Sequence, residues 1–572
     1  MLVKDYYQQQ LDRLRRLAQE FAKSHPALAP MLSGQSRDPD VERLLEGMAY
    51  LTGMLTARLD DSFPEIVHTL IQLCSPQYLR PIPSSTIIQF VPDRSIKDCL
   101  TIKAGTEINS IPVEKERCIY RTCIDVLVYP IFISEVEHKE NIGQDPVIRI
   151  SFQGRDSYPE NLPPYIRLFL RGSFVHTSNL FYILTTKVKK IVFKDENKEL
   201  SLSPKEIKAP FFSLEKALFP YPKNSFPAFR LFQEYFVLPE KFLFLDIYGW
   251  DKWRESGGNP NFEIEFLLDK KTECGRIEEK NFSLFCTPAV NLFKHEAVPI
   301  ELDHRSFEYK IIPGGQKGST YSIFSIDRVM GIVQGSVEKK EYLPLEIIGT
   351  DKVSGTYYQN IRLSPTSGKP ELYVSVGYSG KEDLQREILV IDLTCTHGER
   401  VNSLQIGDIC EETDSSPTLC SFENIITPTP NYYPVIDKDN LWRFMSHYNI
   451  NIFSLKNASK LREILSLYLD FQIKDTQRFF ANKRRIDGIL DLKIKQGARL
   501  HKGNMLMGHD INIVLSSENF SSYGDMYIFI KILDYFFSYY AAINSYIRLV
   551  VKDSKTGEIL ECPARFGEQL LI

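Results

Sequence analysis

Two glutamates, Glu234 and Glu240, stand close together in a stretch crowded with phenylalanine. A pair of carboxylates facing each other across a cleft is what a glycoside hydrolase needs, one as acid and one as base or nucleophile. The same acids inside an apolar segment, paired or capping a turn, would do no chemistry, and the surrounding rings favour that role. Cys395-Thr-His-Gly-Glu399 brings a thiol, an imidazole and a carboxylate into one short segment. Nucleophile and base in cysteine enzymes usually meet through the fold rather than as sequence neighbours, so a strand running into a turn is the plainer reading.

Other combinations are weaker. His295-Glu296 and Asp303-His304 carry metal-ligand side chains without the close pair spacing of a structural zinc site or an H-E-x-x-H helix, which reads as surface loops. Gly314-Gly-Gln-Lys-Gly-Ser-Thr320 has phosphate-loop residues at the wrong spacing and lies between strand-like segments, so a hairpin turn is expected. Lys483-Arg-Arg485 with Lys493, Lys495, Arg499 and Lys502 forms a basic segment without interleaved aromatics, which reads as a solvated face. G-x-S-x-G and dinucleotide fingerprints are absent. The expectation is no catalytic residue, no cofactor and no metal.

The elements that position these residues can be read from period. In Phe229 to Trp250, Leu231, Tyr235 and Leu238 recur at helical spacing until Pro239; beyond it, alternating apolar residues predict a strand covered on both faces. The fold class expected is α+β and multidomain. Residues 1–84 are expected to be helical and bundle-forming. Asp38 caps a helix bearing Val41, Leu44, Met48, Leu51, Leu55 and Leu59 at near-heptad spacing, and Ser62 to Glu65 reads as the capping box of a third helix. This stripe either closes a self-contained hairpin or packs on partner helices; three helices of this size bury little alone.

Short alternating runs predict an antiparallel, sandwich-like domain over 85–205. A mixed domain holding the 229–250 stretch is expected over 206–300, and a second β-rich domain over 301–410. Pro, Ser, Thr and acidic residues mark 411–440 as a linker. The remainder, 441–572, predicts an α+β domain with helices over 459–469 and 525–540.

Composition narrows the function. With 43% apolar and 25% charged residues the chain is an ordinary globular one. The 69 basic and 73 acidic residues leave no positive excess to hold nucleic acid. The 36 Phe and 29 Tyr favour large buried contacts, as in an assembly protein. Ten cysteines without a C-x-x-C pair, and no long apolar run, point to a reduced, soluble, cytoplasmic protein.

Arg230-Leu-Phe-Gln-Glu-Tyr-Phe-Val-Leu-Pro-Glu-Lys-Phe-Leu-Phe-Leu-Asp246 closely resembles a signature of the type VI secretion baseplate family TssF, also called VasA or ImpG. Further motifs resemble the family in the same order: Tyr6 to Leu14, Asp38 to Ala49, Arg58 to Glu65, Pro76 to Pro83, Ala104-Gly-Thr106, Cys118 to Thr122, Thr287-Pro-Ala-Val-Asn-Leu-Phe293, Trp442 to Leu455 and Ala542 to Ser545. Where the family commonly has C-T-N-R, this chain has Cys395-Thr-His-Gly398, a departure that marks a divergent member.

The resemblance implies a structural subunit of the baseplate wedge, without catalysis. It implies two copies per TssG, contact with TssK, and assembly with TssE, sheath and spike of the contractile tail. The membrane complex would be met only indirectly, at the inner face of the inner membrane. Small-molecule substrates and nucleic acid are not implied. Leu44, Met48, Leu51, Leu55 and Leu59 are the expected partner-helix interface. Two alternatives stand beside this reading: a β-rich carbohydrate-active hydrolase using Glu234 or Glu240, and a phage-tail wedge protein.

Overall fold

A computed structural model of the chain describes residues 3–567 apart from 25–38, 94, 141–144, 156–157, 160, 223–224, 271, 273–274, 304, 316–319, 334–338, 346–354, 365, 378–385, 437–440, 446–456, 474 and 502–503. Helix α1 (Val3–Ser24) packs along helix α2 (Pro39–Cys74), with Leu11 and Ala49 buried between them and Arg15 Nε donating to Glu42 at 2.9 Å. The third helix expected from Ser62 does not begin afresh. No glycine or proline between Gly53 and Pro64 stops the helix before it, so the capping signal lies inside α2. The far end of α2 buries Val67 and Ile71 in the main core.

Two apolar cores organise the rest. The larger draws residues from Val67 to Leu292 and again from Val401 to Cys562, with Phe324 as an outlier; the smaller lies wholly within Phe293 to Cys395. Three sheets form the middle of the large body, and each joins distant segments. In the first, Ser85–Pro92 is flanked by Cys286–Val290 and by Cys420–Asn424. In the second, Phe262–Leu268 lies between Val188–Lys194 and Val147–Gly154. In the third, the signature strand Phe244–Tyr248 lies between Ile207–Lys208 and Tyr165–Leu170.

This corrects two expectations. Residues 85–205 are not a sandwich of their own, since each sheet takes later strands, and helix α3 (Phe174–Thr186) interrupts them. The linker expected over 411–440 is not one over its described residues, 411–436: Phe422 pairs with Phe90 in register, the Ile82 N–H donates to the Tyr432 carbonyl at 2.8 Å, and the Thr429 Oγ1 accepts the Ser85 N–H at 2.9 Å. Prolines in that stretch mark an irregular segment laid against a sheet, where they forfeit no ladder bond.

The signature stretch follows its periods. Helix α4 (Arg230–Val237) ends two residues before Pro239, a tight turn follows over Pro239–Phe242, and the strand after it is buried on both faces up to Tyr248. Gly249, with φ +99°, turns that strand into helix α5 (Trp250–Glu255), whose Trp250 and Trp253 are fully buried. Helices α6 (Ala458–Leu467), α7 (Thr476–Asp487) and α8 (Tyr523–Ser538) then lie near the C-terminal sheet, where Ile489–His501 and Asn504–Leu515 form a long hairpin beside Ser545–Asp553. Leu461, Leu465, Phe529, Leu533 and Phe537 are buried, as their spacing predicts.

Candidate partner-binding surface

Of the two acids with chemical potential, Glu234 is fixed in the core and Glu240 is half-buried on the turn beside it. Glu234 is 1% exposed. One of its oxygens accepts the Leu218 N–H at 2.8 Å, and the other is paired with the ammonium of Lys241, itself fully buried. Such a carboxylate has no open side for a substrate. Glu240 lies on the turn after Pro239, and burial raises its carboxyl above the ordinary value despite nearby Arg478 and Arg485. Both therefore serve the geometry of the α4 turn.

That turn is tied to the C-terminal helices by a buried polar network. Tyr235 OH donates to Asp525. Arg485 Nε donates to the other oxygen of Asp525 at 3.0 Å, and Asn482 and Gln472 both donate to the Phe236 carbonyl, at 3.1 and 2.7 Å. Arg485, expected on a solvated basic face, is thus a core residue; its neighbours Arg484, Lys493 and Lys495 are not buried. The sequence carried no sign of this, because one arginine in a basic run resembles the others until the fold supplies Asp525.

The Cys395 to Glu399 segment does not assemble a nucleophile with a base either, although His397 and Glu399 border a cleft. Burial pushes the Cys395 thiol up to about 12, far from a thiolate at neutral pH. His397 is buried against Phe293 and held by Asn291, while Glu399 pairs with Lys369 at 3.1 Å. His295 Nε2 lies 2.9 Å from the Gly314 carbonyl, and Asp303 accepts from the Arg305 N–H and Tyr309 OH; His304 and residues 316–319 lie outside the described residues. Among the described residues, no three His, Cys, Asp or Glu side chains come together in a way that could hold a metal ion.

What remains open is the outer face of α2. Val41, Leu45, Ala49, Thr52 and Gly53, spaced three and four apart, are the partly or fully buried positions along α1. Leu44, Met48 and Leu51 point elsewhere and are 69%, 53% and 54% exposed. Tyr50 and Met54 on α2 and Leu17 and Phe21 on α1 are also exposed, so the hairpin carries apolar surface that the described chain does not cover. The side chains of Leu55 and Leu59 lie outside the described residues.

Comparison with known proteins places these features. Residues 2–569 match the family described as "Type VI secretion system, TssF". The chain belongs to the TssF family. The type VI secretion system component TssF1 of Pseudomonas aeruginosa is 26% identical over 620 residues, covering 99% of this chain and 98% of that protein. Among solved structures, a chain of a TssK-TssF-TssG baseplate subcomplex from cryo-electron microscopy superposes with a TM-score of 0.77 at 24% identity, over 92% of this chain and 99% of its own. A chain of a type VI secretion baseplate complex gives 0.67 at 21% identity over the whole of both. These last two likenesses carry the fold.

Two of the TssF-like motifs lie at structural joints. The Arg230 to Asp246 signature is the contact between the middle sheets and the C-terminal helices. The Asn291-Leu-Phe293 motif meets the Cys395-Thr-His-Gly398 turn where the chain enters and leaves the smaller core.

Proposed function

We propose that this protein is a structural subunit of a type VI secretion baseplate wedge, acting by assembly and not by catalysis. Membership of the TssF family supports the system, and the relative found in a complex with TssK and TssG supports those two as partners. TssE, the sheath and spike, and two copies per TssG are further partners that the family resemblance implies. The single observation that carries the mechanism is the outward stripe Leu44, Met48 and Leu51, which α1 leaves uncovered. Burying three such side chains against partner helices is worth several kcal/mol, at about 1.5–3 kcal/mol for each fully buried residue.

The hydrolase reading fails at Glu234, whose carboxylate is sealed by Lys241. No described helix is long and apolar enough to cross a membrane. The test is co-expression with the cognate TssG and TssK. The variant Leu44→Glu/Met48→Glu/Leu51→Glu should lose TssG on affinity purification while its far-UV circular dichroism is unchanged. Retention of TssG by a folded triple variant would place the interface elsewhere.

A further inference from the structure

The smaller core is joined to the large body at one edge, where the chain crosses, and touches it again where α2 meets Thr356–Leu363. The chain leaves the body through Asn291 and Leu292 and returns through Cys395 to His397; Phe293 and Cys395 pair in register, so the two crossings are neighbours. Asn291 braces them from the body side, accepting the His397 N–H at 2.8 Å, and the rings of Phe293 and His397 lie 4.4 Å apart. Phe324 and, less deeply, Ile361 reach from the small unit to the large core, Phe324 lying beneath Arg80 with 5.4 Å between guanidinium and ring, and Ile119 of the body packs on the small core.

Along the rest of the seam the two units face each other across a polar cleft of about 660 Å³, lined from the small unit by Tyr321, Ser364 and Lys369 and from the body by Glu114, Arg400 and Tyr433. Polar contacts bridge it. Tyr321 OH donates to Glu116, which also pairs with Arg400. Arg400 donates to Thr320 Oγ1 at 3.1 Å, and Lys369 pairs with Glu399 at 3.1 Å. Glu116 opens the strand Glu116–Thr122 in the first sheet of the body, beside the edge strand Glu107–Val113. One carboxylate thus holds a tyrosine of the small unit and an arginine of the body together.

We propose that the 293–395 unit is a hinged arm, pivoting about the paired crossings at Asn291 and His397, and that Glu116 latches it closed through Tyr321. Units with separate cores that meet through polar groups and a solvent-sized gap move relative to one another unless something holds them. Here the holding groups at the cleft are a few hydrogen bonds and ion pairs, each exchangeable for water, beside the apolar contacts of Phe324, Ile361 and Ile119, while the crossings are bonded in the interior. The arm carries Phe307, 94% exposed on a loop pinned by Asp303, so opening and closing would reposition a large apolar side chain for contact. This does not depend on the identity of the wedge partners.

The experiment uses the full chain with bio-orthogonal spin labels at Phe307 on the arm and Ile406 on the body, both exposed. Their distance distribution is read by pulsed electron resonance. The parent chain should give one narrow distance. Tyr321→Phe/Lys369→Met/Thr320→Val, which removes the three bridging groups of the arm and keeps the ring, should shift a resolved fraction of molecules to a second distance; Tyr321→Phe/Lys369→Met should shift a smaller one. Adding Asn291→Ala should broaden both populations. Circular dichroism and the melting curves of both latch variants must match the parent; if they melt early, Glu116→Gln replaces them. An unchanged narrow distance in a folded latch variant would overturn the proposal, and so would a distribution already broad in the parent chain.

Discussion

Asn291 spans the joint between the two cores by holding His397 at two points. Its carbonyl oxygen accepts the His397 N–H at 2.8 Å, and its amide nitrogen lies 3.0 Å from His397 Nδ1 while also donating to the Ile119 carbonyl at 2.7 Å. For that nitrogen to donate to the ring, Nδ1 must be bare, so the imidazole is neutral. Burial, the leading cause, lowers its pKa from 6.5 to about 4.

The sign of the pH effect follows. Below pH 6.5 the unfolded chain binds a proton that the folded chain refuses, so stability falls as pH falls from 6.5 to about 4 and levels off below that. At pH 5 the loss is about 2 kcal/mol, from 1.36 kcal/mol per pKa unit. His397→Asn, which installs the residue common in the family, should remove that part of the dependence. Denaturant unfolding of both chains at pH 7 and pH 5 checks it: the two curves should separate less at pH 5 in favour of the variant. An identical pH response in both chains would refute the buried neutral histidine.

Glu234 and Lys241 form a fully buried ion pair, and their prediction concerns stability rather than rate. Removing one member strands the other, so Glu234→Ala should cost about 3–5 kcal/mol. Glu234→Gln/Lys241→Met, which removes both charges at similar volume, should cost markedly less. Chemical denaturation of the three chains gives the comparison. Equal losses for the single and double variants would show that shape and not charge dominates at this turn.

The sequence made local structure legible where period and punctuation agree. Pro239 ends α4 and the alternation after it gives the buried strand, because both signals act within a few residues. The spacing of Phe529, Leu533 and Phe537 likewise gave the stripe of α8. What could not be read was pairing at long range. Nothing near Cys420–Asn424 announces that it adds a strand beside Ser85–Pro92, because that partner is supplied by topology. The proline-rich surroundings suggested a linker for the same reason. Arg485 was misread because its counter-ion, Asp525, lies on another helix. On α2 the apolar positions were visible, but which of them face α1 depended on where α1 packs.

Arg485 gives a third prediction, since it joins the family signature to the C-terminal helices. Its guanidinium touches Asp525 at 3.0 Å and lies 5.0 Å from the Tyr235 ring centre. Asp525 also receives Tyr235 OH and Ser521 Oγ, the latter at 2.9 Å. Arg485→Met should cost about 3 kcal/mol by leaving a buried carboxylate without its cation. Tyr235→Phe removes one neutral donor and should cost about 1–2 kcal/mol. Because both act on one carboxylate, the double variant should lose less than the two single losses added together. Strict additivity in a double-mutant cycle would mean that the network does not act as a unit.

The two faces of α2 should respond in opposite ways. Ala49 is fully buried where α1 crosses, so Ala49→Leu inserts a side chain into a closed contact and should destabilise the hairpin by about 1–3 kcal/mol. Hydrogen exchange would read this as loss of protection across Leu11 and its neighbours in α1. Leu51, half a turn away on the opposite face and 54% exposed, should accept glutamate with a change within about 0.5 kcal/mol in the isolated chain. Its cost should appear only on assembly, as weakened binding of TssG. The contrast separates folding from association on one helix. If Leu51→Glu lowers the stability of the isolated chain as much as Ala49→Leu does, the stripe is core in solution and the partner must bind another surface.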